Sequence, residues 1–141
     1  MITTQYRVIY GDTDQMGVVY YGNYLRMFEF GRGAHLRAAG VPYSEVEASG
    51  VLLPVAEAHV YYKRPAHYED LLDIDVALVN KGRASADYVY RIRRGDAVIA
   101  TGRTRHGCIT RDGKKARFPA ILKDRLTVDA EDVFETPMEN R

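Results

Sequence analysis

Two aspartates in one glycine-containing loop have types and spacing that could do chemistry. Asp12 and Asp14 lie in YGDTDQMGVVYYGNY, residues 10–24, between a strand-like alternating run and a helical pattern. A carboxylate just before a helix can act as a base or nucleophile beside N–H groups that the first helical turn leaves unpaired. Those groups and the helix dipole suit an oxyanion formed when a carbonyl is attacked. The aspartate spacing alone is a weak signal, and Asp12 is interpreted as a structural acid that fixes the loop.

The remaining reactive side chains do not predict a metal site or a second catalytic site. The four histidines are not spaced as metal ligands and Cys108 is the only cysteine, so we expect no metal and no cofactor. His59 and His106 fall in strand-like segments, where packing or interface roles are favoured. Cys108 is expected to be a small core residue. Glu29 lies two turns into the helical pattern, where a supporting or interface role is favoured.

Length and composition indicate a single globular domain over residues 1–141, with a weakly patterned tail after about residue 119. A net charge of +1 argues against bulk attraction to nucleic acid or membranes. No run approaches the roughly eighteen apolar residues of a membrane span, and the N-terminal residues lack a signal-peptide pattern. A single cysteine fits a reducing cytoplasm.

A helical pattern over residues 24–39 must position the loop, and Gly40, Val41 and Pro42 form its stop signal. Gly31 and Gly33 each cost about 0.5–1 kcal/mol in a helix interior. A helix that keeps both is expected to lie very close to a flat neighbour such as a sheet. Residues 43–50 predict one further helical turn.

Alternating segments predict a first strand before the loop and four strands after the helix, at about 55–63, 72–78, 86–93 and 97–110. The expected fold class is α+β, with one helix covering an antiparallel sheet whose last four strands form a meander. The other face of the sheet is expected to be partly apolar and buried by further subunits. The residues expected on that face are Val55, Tyr61, Val79, Val89 and Ile99.

The loop sequence GDTDQMGVVYYGNY, residues 11–24, resembles the signature of the hotdog-fold acyl-CoA thioesterases. The most similar branch is the 4-hydroxybenzoyl-CoA thioesterase-like group, which includes the Tol-Pal-associated thioesterases. The resemblance extends in order from Tyr6 to Pro119. It continues through LPV at 53–55, YKRPA at 62–66, YEDLL at 68–72 and GRTRH at 102–106.

This resemblance implies a hotdog fold, in which a five-stranded antiparallel sheet wraps one long central helix. It also implies dimers with active sites at the subunit interface, and a dimer of dimers is expected. The implied activity is hydrolysis of acyl-CoA thioesters, with Asp14 as nucleophile or general base. The backbone N–H of Tyr21 would polarise the thioester carbonyl. Some hotdog thioesterases use a carboxylate on the helix as their catalytic group, which makes Glu29 the reserve acid. Many Tol-Pal-type members carry His at this position, so the role of the Tyr21 side chain and the acyl group stay open.

The implied substrate contacts fall in two segments, and the substrate itself brings the CoA. Leu53, Pro54 and Val55 form one segment, and the turn of Lys81, Gly82 and Arg83 is matched to one that contacts the CoA nucleotide. A hotdog dehydratase or enoyl-CoA hydratase is an alternative, although it depends on a histidine paired with an acid near the helix, and residues 10–24 contain no histidine. A non-catalytic acyl-CoA-binding module is the other alternative.

Overall fold

A computed structural model of the protein describes residues 1–129. The first half of this range contains β1 (Ile2–Arg7), a 3₁₀ turn (Tyr10–Asp12), α1 (Asn23–Ala38), α2 (Tyr43–Ala48), β2 (Val51–Leu52) and β3 (Val55–Tyr62). The second half contains β4 (Leu71–Lys81), β5 (Ala86–Arg94), β6 (Ala97–His106), β7 (Ile109–Thr110) and α3 (Ala120–Arg125). No helix among these is long and apolar enough to cross a membrane. The end of the predicted tail, residues 130–141, lies outside the described residues.

Five antiparallel strands form the main sheet in the order β1-β4-β5-β6-β3, and β2 pairs with β7 in a small second ladder. The α+β class with one long helix and a five-stranded sheet is therefore confirmed. The four-strand meander is wrong, because only β4, β5 and β6 follow one another in space. Strand β4 pairs with β1 on one side and β5 on the other, so β3 joins the sheet beside β6. Alternation predicts strands but not their partners.

Helix α1 packs against one face of the sheet, and two glycines set the distance. A Cβ on Gly31 would lie 2.6 Å from Val76 Cγ2, and a Cβ on Gly102 of β6 would lie 2.3 Å from the Phe28 ring. Bare backbone at these two points lets helix and sheet approach closely. The predicted close approach is confirmed at Gly31. It is wrong at Gly33, where a Cβ would meet only the Arg37 guanidinium, at 3.2 Å.

Several predicted bounds and faces need correction. The weakly patterned tail begins with α3, which buries Leu122 and, just after the helix, Leu126. The last predicted strand breaks after His106 into β6 and β7. A register shift after Ile92 reverses the alternation near the start of β6, so Ile99 belongs to the core and not to the outer face. Bulges and short helices leave little periodic signal in a sequence.

The outer face of the sheet is dominated by ion pairs. Asp75 binds Arg91 and Arg93, while Asp87 binds Arg103 and Arg105. Burial acts to raise the pKa of both aspartates, but hydrogen bonds from the arginines outweigh it and lower each pKa below its usual value. Val89 lies on this face and is 3% exposed. Much of the face is thus covered by its own arginine side chains, and its burial by further subunits stays a prediction.

Candidate active site

Asp12 holds the loop between β1 and α1 in place. Its Oδ2 accepts the Tyr6 hydroxyl at 2.7 Å and the Ile9 N–H at 3.0 Å, and the residue is 3% exposed. Its carbonyl oxygen accepts the Tyr20 N–H and the Asn23 side-chain amide, both at 2.9 Å. These bonds tie the start of the loop to β1 and to the first turn of α1. The interpretation of Asp12 as a structural acid is confirmed.

Asp14 makes the bond of a turn carboxylate and keeps one oxygen available. Its Oδ1 accepts the Met16 N–H at 2.9 Å, and its carbonyl accepts the Gly17 N–H at 2.9 Å. Gly17 closes this turn with φ of +80°, a conformation that favours glycine. No hydrogen bond to Asp14 Oδ2 forms within residues 1–129, and the side chain is partly exposed. The loop therefore presents a carboxylate oxygen that can reach a substrate.

The start of α1 presents backbone N–H groups beside this loop. The Asn23 N–H donates to the Tyr20 carbonyl at 2.9 Å, and the Tyr24 N–H makes a long contact of 3.4 Å with the Tyr21 carbonyl. In the described part of the chain, the N–H groups of Tyr21 and Gly22 donate to no main-chain oxygen. Free donors at a helix N-terminus can hold an oxyanion.

Tyrosines surround this helix start and hold its backbone. The Tyr62 hydroxyl, from β3, donates to the Tyr21 carbonyl at 2.9 Å, and the Tyr62 ring packs edge-on against Tyr24 at 5.3 Å between centroids. The rings of Tyr20 and Tyr21 lie 4.6 Å apart. A hydrogen bond with Tyr21 and, more weakly, the charge of Asp14 raise the pKa of Tyr20.

Comparison with known proteins identifies the family. A sequence model of the thioesterase-like superfamily matches residues 8–126. The chain belongs to this superfamily.

Relatives of this thioesterase include a 1,4-dihydroxy-2-naphthoyl-CoA hydrolase from Synechococcus elongatus, 30% identical over 129 residues that cover 89% of this chain and 95% of the relative. A solved structure of an Aquifex aeolicus hypothetical protein is 29% identical, with a TM-score of 0.86, and covers 90% of this chain and all of the other. The solved 1,4-dihydroxy-2-naphthoyl-CoA thioesterase from Synechocystis is 25% identical, with a TM-score of 0.80 over 88% of this chain and 93% of the other. The predicted hotdog thioesterase is confirmed.

Leu53, Pro54 and Val55 line a cavity of about 570 Å³ beside α1 in the thioesterase. The Leu53 N–H donates to the Tyr43 hydroxyl at 3.1 Å, and the Pro54 carbonyl accepts the Gly107 N–H at 3.0 Å. These bonds fix the segment against α2 and the end of β6. The cavity is also lined by residues of α1, by Tyr88 of β5 and by Leu122 of α3.

Glu29, the reserve acid, borders this cavity and a smaller pocket near the loop. The smaller pocket, of about 300 Å³, is also lined by Asp12 and Asn23. Glu29 is exposed on the surface of α1. Its position on α1 places it at the border of both pockets.

Lys81, Gly82 and Arg83 line a third pocket, of about 620 Å³, together with Arg117, Phe118 and Lys123. The Lys81 ammonium donates to the carbonyls of Lys123 and Leu126, so it stabilises the end of α3. Arg83 is exposed. The sequence reasoning missed Arg117 and Lys123, because their approach to the turn depends on α3, which it did not predict.

The two buried histidines lie away from the loop. His106 is 3% exposed, which confirms its packed position, and His35 is buried against Asp129. Burial lowers the pKa of both histidines, to about 4 for His106. Cys108 is buried, as expected, and burial raises the pKa of its thiol. Residues 1–129 contain no group of three His, Cys, Asp or Glu side chains that could hold a metal ion.

Proposed function

We propose that the protein hydrolyses acyl-CoA thioesters to a free acid and CoA, with Asp14 as nucleophile or general base. One observation carries the proposal: a partly exposed carboxylate, with one oxygen unbonded within the described residues, lies in the loop that leads into the unpaired N–H groups of Tyr21 and Gly22. Family membership supports the reaction class, and the names of the relatives support CoA thioesters as substrates.

In the general-base route, Asp14 takes a proton from a water molecule whose oxygen attacks the thioester carbonyl. In the nucleophilic route, the carboxylate attacks first, CoA leaves as a thiolate, and water then hydrolyses the anhydride. Both routes place negative charge on the carbonyl oxygen, where the Tyr21 N–H stabilises it. The thiolate leaves with the electron pair of the C–S bond and takes up a proton. Thioesters are activated esters, so one carboxylate and one oxyanion site suffice.

The third pocket is proposed to hold the CoA nucleotide. Arg83, Arg117 and Lys123 bring positive charge to one recess, and guanidinium groups match phosphate geometry. Arg83→Ala should raise KM for acyl-CoA and leave kcat nearly unchanged, because remote contacts bind ground state and transition state alike. Lys81→Ala should also lower stability, since Lys81 binds the carbonyls of α3. Equal losses on acyl-CoA and on a truncated acyl-pantetheine would show that the turn is structural.

Assembly is part of the proposal, because β3 lies at an open edge of the sheet. Its first five residues are exposed, and it pairs only with β6 among the described strands. A second copy of the chain would cover this edge, and two such dimers would form a tetramer of about 64 kDa from 16.0 kDa chains. Light scattering at micromolar concentration tests this, and a monomer would rule out an interfacial active site.

A thiol-reagent assay with short, long and aromatic acyl-CoAs tests the activity. Hydrolysis releases free CoA, so the thiol signal should rise with wild-type protein. Asp14→Asn should abolish that rise, whereas the matched control Glu29→Gln should retain it. Formation of a hydrated acyl-CoA without release of free thiol would instead identify a hydratase. Binding of acyl-CoA without any turnover would identify a binding module.

A further inference from the structure

A chain of buried hydrogen bonds runs from α1 to the Leu53 segment. The Arg32 guanidinium donates to the Tyr90 hydroxyl at 3.0 Å, and that hydroxyl lies 2.6 Å from the Thr104 hydroxyl. The Thr104 hydroxyl lies 2.9 Å from His106 Nε2, and His106 Nδ1 lies 3.5 Å from the Leu53 carbonyl oxygen. Tyr90, Thr104 and His106 are each at most 3% exposed. The chain crosses the wall of the 570 Å³ cavity.

The carbonyl end of this chain and a neutral His106 together fix the direction of each bond. A guanidinium can only donate and a carbonyl oxygen can only accept. Tyr90 therefore donates to Thr104, Thr104 donates to His106 Nε2, and a neutral His106 donates from Nδ1 to Leu53. Burial and the nearby charge of Arg32 lower the pKa of His106, which favours this neutral form. The chain holds the Arg32 guanidinium in one orientation.

Arg32 lines the cavity and has no carboxylate partner among residues 1–129. The ion pairs of the described residues do not include it, and its one described hydrogen bond, to Tyr90, uses one of five N–H donors. The side chain is partly buried. Glu29, one turn earlier on α1, borders the same cavity but forms no described ion pair with Arg32. A partly buried cation that forms no ion pair is costly, and a guanidinium fork fits a carboxylate in bidentate geometry. Its surroundings therefore favour an anionic ligand.

The cavity offers apolar walls around this cation. Gly33 lines it, and a Cβ on Gly33 would meet only the Arg37 guanidinium, at 3.2 Å. A glycine that costs helix stability without contacting the sheet keeps this space free. The apolar wall is formed by Phe30, Leu36, Tyr88, Phe118 and Leu122. Its volume is within the range of small-molecule sites.

We propose that this cavity binds the acyl group of the thioester and that Arg32 binds a carboxylate at its far end. The proposal rests on the proposed hydrolysis of acyl-CoA. Arg32 follows Gly22 by about 15 Å along the helix axis at 1.5 Å per residue. Helical side chains lean toward the N-terminus, so Arg32 reaches back toward the helix start. Acyl chains of medium length with a terminal carboxylate can span the distance from a thioester carbonyl at the helix start to the Arg32 guanidinium.

Two thioesters of equal length test the proposal: the mono-CoA thioester of octanedioic acid and octanoyl-CoA. They differ only in the terminal carboxylate. Calorimetric binding to Asp14→Asn, in which turnover is expected to be slow, should favour the dicarboxylic thioester by tenfold to about a hundredfold, the range of a charge-assisted hydrogen bond. Arg32→Gln in the same background should remove the preference, and Arg32→Lys should keep part of it. The control Arg111→Gln, an exposed arginine outside the cavity lining, should keep the preference.

Hydrolysis assays on the wild-type protein distinguish failure of the Arg32 site from failure of the proposed acyl-CoA hydrolysis. Preferential binding without hydrolysis of either thioester would support the Arg32 site and overturn the proposed function. Hydrolysis of both thioesters without any preference would support the function and overturn the Arg32 site. A uniform loss of binding to both thioesters in Arg32→Gln, with a lower melting temperature, would also overturn it, because Arg32 would then be structural.

Discussion

Asp12 and Asp14 are two positions apart in one loop and have opposite surroundings. Asp12 is buried and its Oδ2 accepts two hydrogen bonds, from Tyr6 and Ile9, whereas Asp14 is partly exposed and has one described side-chain bond, from Met16. Burial and the two bonds hold the Asp12 carboxylate in place, which leaves little of it accessible to a substrate. The comparison teaches that burial and anchoring of the side chain, and not residue type, separate a structural acid from a candidate catalytic one.

The largest expected effect comes from Asp14→Asn. The amide keeps the size of the side chain but removes the charge needed for attack or proton transfer. We expect kcat to fall by at least about a hundredfold, within the range of about 10²–10⁴ for a lost general base. The melting temperature should stay unchanged, since the turn bond from Met16 can still form. If Asp14→Asn stays active while Glu29→Gln is inactive, the catalytic acid lies on α1.

Asp12→Ala should lower stability more than Asp14→Asn does, and should lower kcat less. It leaves the Tyr6 hydroxyl and the Ile9 N–H without their acceptor, at a cost of about 1–3 kcal/mol. Urea unfolding should show that loss in the free energy of unfolding, while kcat at a temperature where the variant is folded should fall less than for Asp14→Asn. An equal fall in kcat with unchanged stability would reverse the roles assigned to the two acids.

Tyr6→Phe should have the smallest effect, because it removes one of the two bonds to Asp12. We expect a loss of about 0.5–1.5 kcal/mol in the free energy of unfolding. Its effect should be much smaller in an Asp12→Ala background, where the partner is already absent. Additive losses in this double-mutant cycle would show that the Tyr6–Asp12 bond does not stabilise the loop.

The sequence predicted the parts of the molecule that follow from local pattern. Helix α1 begins and ends within one residue of the predicted bounds, since its apolar stripe and the Gly40 stop are local signals. The approach of Gly31 to the sheet follows from the cost of glycine in a helix. The different surroundings of Gly33 could not be predicted in this way, because only the packed structure shows that this glycine lines a cavity.

The parts that the sequence could not predict depend on distant contacts. A bulge turns Ile99 inward, and alternation cannot locate a bulge. Arg32 gave no signal as a site residue, since its significance lies in its bond to Tyr90 and its place in the cavity wall. Asp14 was selected by resemblance to a family motif, and its catalytic role stays a prediction.

The strand order has a consequence for how the protein folds. Strands β4, β5 and β6 are joined by short connections, whereas β1 reaches β4 and β3 reaches β6 across long stretches of chain. Closing long loops costs more entropy than closing hairpins, so the three-stranded centre should form first and the edges later. Native-state hydrogen exchange should then find the amides of β3 less protected than those of β5. The strand that is proposed to receive a second subunit would thus complete its fold last, which would couple folding of the chain to its assembly.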